Sequence, residues 1–326
     1  MKKRPARNST YFSKSALSIR IFVFLIILIL PGWQVFAQNG FSSLSVNSGK
    51  TDSLYDEMIF SVEVANCITA SVRQTIRLFG QEYHAYGTYN ELKPTELRGH
   101  VATRFRLDIK VQTSNDNGDT KSQNSLTVVC DNTYNYIYRF LSIEGETRLE
   151  RIEIKRVVEA IEKLGCNDMP TEVGSLYAMG GLAGMLREMR NRYDFNTAPI
   201  MTNIPEKNST VGAWKIRGRL KPEIVATLTG EGSGKKQTIP IHTPTTIDIS
   251  IGVDDRFPYR IDYFWTPDGA ESTDEPFAYL VFYNLILHTR SISDSIFDYR
   301  PPENILEVDV TEQVIYQMMA TANATK

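Results

Sequence analysis

"SDSIFDYRPPENILEVDVTEQ", residues 293–313, begins four residues after the apolar run "AYLVFYNLILH" (278–288). Two prolines break the chain at Pro301 and Pro302. Ile305, Leu306, Val308 and Val310 then alternate with Glu303, Glu307, Asp309 and Glu312. No nucleophile, base or metal-ligand spacing occurs in it. A strand, a rigid break and a short β-branched run read as a segment that closes a sheet around an apolar interior.

The strand pattern extends backwards from there. "AWKIRGRL", "TTIDISIGVDD" and "PYRIDYFWTPDG" alternate with period two. In 278–288 both faces are apolar, with Tyr279, Val281, Tyr283, Leu285 and Leu287 against Leu280, Phe282 and Ile286, so this strand is expected to be covered on both sides. The first half repeats the pattern: two strands in 68–92 turning near Gly80, and further strands in 103–140 around 114–123 and Asp131–Asn132. Residues 145–157 read either as more sheet or as the start of a helix.

Three helices are expected. Thr51–Asn66 places Leu54, Met58, Val62 and Ala65 on one face with Thr51 as cap. Val157–Leu164 is a second. Glu172–Tyr193 gathers Leu176, Met179, Leu182, Met185, Leu186 and Met189 among four glycines. Each glycine costs a helix about 1 kcal/mol relative to alanine, so that segment holds only if it packs closely or covers something. With no alternating βα unit, the class is α+β: an antiparallel sheet with helices on one side.

The ends bound the setting. Met1–Arg20 carries six cations and no acid, Ile21–Leu30 is unbroken hydrocarbon, and "PGWQVFA" ends in a small-residue site before Gln38. This is the arrangement of a secretory signal, 1–37, cleaved after Ala37; the alternative is an uncleaved membrane anchor. The apolar run is shorter than the roughly 20 residues a spanning helix needs. Residues 38–50 read as a flexible mature N-terminus, 51–315 as one domain and 316–326 as a disordered tail. Removing the six leader cations from 36 basic and 38 acidic residues leaves a net charge of −8. That excess argues against nucleic-acid binding.

Enzyme chemistry finds no support. The four histidines, His84, His100, His242 and His288, lie far apart without a metal-binding spacing. "GEGSGKKQT" (230–238) imitates a phosphate loop, but Gly230 and Gly234 have three residues between them rather than four. It reads as a hairpin tip. No G-x-S-x-G elbow exists. The expectation is a protein that is not an enzyme, with no cofactor and no metal. Of the three cysteines, Cys67 and Cys130 form the candidate disulfide, against the alternative of three buried free thiols.

Read in order, "WKIRGRL", "TIDISIGVDDRFPYRIDYFW" and "YLVFYNLILHTRSISDSIFDYRPPENILEVDV" resemble the LolA/LolB superfamily of periplasmic lipoprotein carriers and their lipid-binding relatives. The match runs through Ile292, Phe297, Pro301, Pro302, Ile305 and Asp309, and through "ASVRQTI", "RFRLDIKV" and "VVCDNTYNYIY" in the first half. The resemblance covers about Thr51–Gln313. It implies an incomplete, half-open antiparallel β-barrel with helices covering its open concave side, in the periplasm of a Gram-negative-type bacterium.

It also implies a monomeric, non-catalytic carrier that binds lipid or lipoprotein acyl chains and meets membrane-bound donor and acceptor proteins. Phe105, Leu107, Leu176, Met179, Leu182, Met185, Leu186, Met189, Leu280 and Phe282 would line the lipid site. Lys93-Pro94 stands where carriers of this family have arginine before proline, so the lid contact would fall to Lys93, a departure that bears on lipoprotein as cargo. The alternative is a structural or interaction protein of the same fold, its barrel filled by its own side chains, binding a protein partner through loops 194–213 and 230–245.

Overall fold

The computed structural model describes residues 49–78, 81–93, 103–114, 120–131, 136–143, 146–163, 181–205, 210–229, 239, 243–265, 275–288 and 292–316. The chain opens with helix α1 (Gly49–Val64) and then lays down β1 (Cys67–Leu78), β2 (Gln81–Leu92), β3 (Arg104–Ser114), β4 (Thr120–Asp131), β5 (Tyr136–Ile143) and β6 (Glu146–Glu153). Helices α2 (Ile154–Lys163) and α3 (Gly181–Arg192) follow. After them come β7 (Tyr193–Asp194), β8 (Ile200–Pro205), β9 (Thr210–Leu220), α4 (Pro222–Thr229), β10 (Thr246–Gly252), β11 (Pro258–Phe264), β12 (Ala278–His288) and β13 (Glu307–Asp309).

Among the described residues these strands form one sheet in the order β13-β6-β5-β4-β3-β2-β1-β12-β11-β10-β9-β7, with β8 also on β9. Every pairing is antiparallel except β13 on β6. The two edges do not meet, so the fold is a large, curved, unclosed sheet with few helices, the half-barrel expected from the sequence.

The period-two pattern sorts side chains onto two faces. Ile68, Ala70, Val72 and Ile76 of β1 share one apolar core with Phe105, Leu107 and Ile109 of β3, Leu126, Val128 and Cys130 of β4, and Ile247, Ile249 and Ile251 of β10. That core lies on the inner face, where α1 and α3 complete it. Leu54, Tyr55, Met58, Ile59 and Val62 recur at helical spacing on α1 and are all buried. Each large apolar side chain so buried contributes roughly 1.5–3 kcal/mol.

Curvature has local causes. A Cβ on Gly87 would collide with the Asp108 carbonyl, so glycine there lets β2 press against the backbone of β3. A bulge shifts the β1–β12 register between Thr69 and Ser71, opposite Asn284, whose φ of 51° lies in the left-handed region and whose amide donates to the Ser71 hydroxyl at 3.2 Å.

The double-proline segment is a strap across the outer face. Phe297 is fully buried against Cys67 of β1 and Leu92 of β2, with Ile292 and Ile296 beside it. Arg106 of β3 donates to the Ile296 carbonyl at 3.1 Å, and Tyr299 packs on Tyr138 of β5 with ring centroids 5.3 Å apart. The chain then pairs as β13 with the exposed edge of β6, where Arg151 holds Glu307 at 2.9 Å and Asp309 at 3.0 Å. Val310 and Val314, beyond that edge, join the inner core.

Several expectations are corrected. Cys67 and Cys130 are both free and buried. Two strands separate β1 from β4, and Cys67 sits in the outer cluster while Cys130 belongs to the inner one. At about 4.8 Å per strand the thiols are out of reach of each other. Thr51 lies inside α1 rather than capping it, and its hydroxyl donates to the Thr197 carbonyl at 2.8 Å. Only part of β12 is covered on both faces, since Ile286 and Leu287 are 51% and 38% exposed. Residues 145–157 supply both β6 and the start of α2.

The expected loop 194–213 contains the end of β7, all of β8 and the start of β9. Pro205 is tolerated at the end of β8 because that strand pairs with β9 alone. The eight-residue α4, with Pro222 and Glu223 in its first turn, was not expected: its apolar stripe, Ile224, Val225 and Leu228, spans little more than one turn. Residues 1–48, Cys166 and the phosphate-loop mimic 230–238 lie outside the described residues.

Candidate functional site: a helix held on the inner face

Of the helix expected over 172–193, residues 172–180 lie outside the described residues; α3 is described from Gly181, and Tyr193 already belongs to β7. Leu182, Leu186 and Met189 are buried in the inner core, and Met185 is half-buried against it. Alpha-1 flanks it. The Tyr55 hydroxyl donates to the Leu186 carbonyl at 2.6 Å, and at the surface Arg187 pairs with Glu63 and Arg190 with Asp56.

The start of α3 is fixed by a polar group. Glu91 on β2 is 0% exposed and shares the inner face with Tyr89, two residues before it. Its Oε2 accepts the backbone N–H of Leu182 at 2.8 Å and the Tyr89 hydroxyl, while Oε1 receives the ammonium of Lys93. A carboxylate here satisfies one of the helix's free amides and complements the positive end of its dipole. Gly181, at φ +59°, gives the backbone its turn into the helix, and a Cβ there would run into the Glu91 carboxylate. Burial, then the adjacent Glu91 charge, pushes the Tyr89 hydroxyl well above its ordinary pKa, so it stays a donor.

The expected lining residues gather around this contact. Phe105 lies opposite Glu91 in the β2–β3 register, and Leu107 lies opposite Tyr89. The Tyr89 ring meets Phe282 edge-on at 6.2 Å, with Leu280 one inward position further along β12. Leu176 and Met179 lie outside the described residues. Lys93 is half-buried and reaches the helix through Glu91 rather than directly.

Sequence reasoning missed the charged residues on the apolar face. Arg139 of β5 and Glu150 of β6 form a buried ion pair at 2.6 Å, and Arg148 holds the same carboxylate at 2.6 Å. Burial draws the Arg139 guanidinium below its usual range while Glu150 opposes that. The signal was parity: Glu91 falls in phase with Tyr89, and Arg139 with Ile137 and Leu141. Among the described residues, no group of three or more His, Cys, Asp or Glu side chains is placed to hold a metal ion.

No family model and no curated protein matches the sequence. Solved structures do align with the chain. A DUF1329 family protein from Desulfovibrio piger aligns over 76% of this chain and 97% of its own, at 11% identity and a TM-score of 0.27. The lipoprotein LppX of Mycobacterium tuberculosis aligns over 74% and 99%, at 10% identity and 0.32. A LolA superfamily protein from Nitrosomonas europaea aligns over 78% and 99%, at 8% identity and 0.25.

Proposed function

We propose that the chain is an exported, non-catalytic carrier that binds the acyl chains of a lipid or lipoprotein on the inner face of its half-barrel, beneath α3. The observation that carries this reading is the way α3 is held. Its apolar face lies on an apolar sheet, and its first turn is held there by the buried carboxylate of Glu91. Apolar contacts are non-directional and can be exchanged for acyl methylenes at about 0.8 kcal/mol each, so such a helix can be lifted and replaced by hydrocarbon. Phe105, Leu107, Leu182, Met185, Leu186, Met189, Leu280 and Phe282 would then face the ligand, together with Leu176 and Met179. Delivery would take place between membrane-bound donor and acceptor proteins in the periplasm, after removal of residues 1–37.

A second reading has an observation of its own. Tyr55, Met58 and Leu186 are wholly buried in the inner core, which favours a barrel filled by its own side chains and a role in binding a protein partner. Lipid mass spectrometry of the protein purified from a periplasmic expression host separates the two. Stoichiometric lipid in the native protein, reduced in Met185→Glu, supports the carrier. A folded protein that extracts lipid-free, and takes up none when mixed with phospholipid vesicles, removes it.

A further inference from the structure

The outer face carries a second site at the opposite end of the sheet from the strap. Arg217 of β9, Asp248 of β10 and Asp262 of β11 stand side by side on one rung, and Lys215, Ser250 and Arg260 on the next. Together with β8 and Pro276 they enclose a recess of about 360 Å³, near the lower end of the range for small-molecule sites.

Its floor is built in advance. Asp248 is 1% exposed, and Arg217 grips it with two prongs at 2.6 and 2.7 Å. Arg260 holds Asp262 at 2.8 and 3.0 Å. The two guanidinium groups also lie over aromatic rings, Arg217 over Phe264 at 5.2 Å and Arg260 over Tyr279 at 4.7 Å, which fixes their planes. Each buried carboxylate therefore has a guanidinium of its own. Lys215, 3.7 Å from Asp248, adds a third cation to a floor already neutral, leaving one positive charge in excess. Thr202, Asn203 and Ser250 add uncharged donors, and Ile204, Phe264 and Pro276 supply an apolar wall.

We propose that this recess binds a small organic anion. A carboxylate or phosphate ester would sit against Lys215 and the two arginines, and an apolar body against Ile204, Phe264 and Pro276. A cation would meet the surplus charge of Lys215. An acyl chain would have to desolvate charged side chains, and the recess faces away from the inner core, so the site is independent of the carrier reading. Low dielectric and fixed donors strengthen binding to the oxyanion.

The test is isothermal titration of the purified protein with phenyl phosphate and with benzoate at constant ionic strength. One molecule per chain is expected for at least one probe, and the tighter of the two identifies the headgroup. Lys215→Gln should weaken binding at least tenfold and Lys215→Glu should abolish it, while Lys110→Gln, an exposed cation on the outer face of β3, leaves it unchanged. Circular dichroism verifies that each variant is folded. If neither probe binds the native protein, or Lys215→Gln binds as well as the native chain, the cluster is only a set of cross-strand ion pairs and the proposal is overturned.

Discussion

The Glu91 carboxylate receives the Leu182 N–H at 2.8 Å, so a residue on β2 holds the first turn of a helix that lies across the inner face. Tyr89 and Lys93 converge on the same two oxygens. Replacing Glu91 by glutamine removes the charge, leaves Lys93 without its buried counter-ion and costs about 1–3 kcal/mol. The loss should be local. Hydrogen exchange of the α3 amides is expected to rise by roughly tenfold or more while the β3 and β4 amides keep their protection. Uniform loss across both elements would show that Glu91 serves the whole core rather than the helix.

Gly181→Ala attacks the same contact from the other side. A side chain at φ +59° is strained, by roughly 1–2 kcal/mol in the left-handed region, and the new Cβ would press on the Glu91 carboxylate. Exchange in α3 should rise as it does in Glu91→Gln. The double variant should show much less than the sum of the two, because both disable one contact. Additive effects would separate Gly181 from that contact.

Much of this architecture was legible in the sequence, and the reason is periodicity. Alternation in 68–92 and 103–140 located β1 to β5, and the stripe Leu54, Met58, Val62 located α1, because each pattern repeats over many residues. What could not be read depends on single residues. Glu91 looks like an ordinary strand acid until its phase with Tyr89 is counted, and β8 is six residues of mixed polarity supported by one neighbour. The Cys67–Cys130 pairing failed for a related reason: strand order and parity, not spacing, decide whether two thiols can meet.

Those thiols give a third prediction. Burial raises the pKa of Cys130 strongly and that of Cys67 more modestly, so neither is present as reactive thiolate at neutral pH. In a Cys166→Ser background, a thiol-specific dye should label neither residue in the native protein and both in denaturant. Tm should be the same with and without reductant. Prompt native labelling of Cys67 would mean that the strap opens readily over it.

The strap depends on Phe297, which is fully buried and has the Arg104 guanidinium 5.9 Å from its ring. Phe297→Ala should cost about 3–5 kcal/mol, the usual range for an aromatic side chain removed from a packed core. Exchange along β13 and the facing edge of β6 should accelerate first, since β13 is three residues long and docks only there. A loss below about 1 kcal/mol, well under that range, would mean the prolines position the strap without this anchor.

The far end of the strap should be sensitive to acid. Asp309 has its pKa lowered to about 2, first by the Thr311 hydroxyl and then, against some opposing burial, by the Thr311 N–H and Arg151. An unfolded aspartate titrates near about 3.9. A depressed native pKa means that the contribution is complete above the unfolded value and is lost as pH falls through the native one. Urea midpoints should therefore fall between pH 4 and pH 2 more steeply in the native chain than in Asp309→Asn. Asp309 is 37% exposed on its side chain, so the difference should also shrink in high salt. Parallel curves for the two proteins would place the acid sensitivity elsewhere and leave the β13–β6 pairing to its backbone hydrogen bonds.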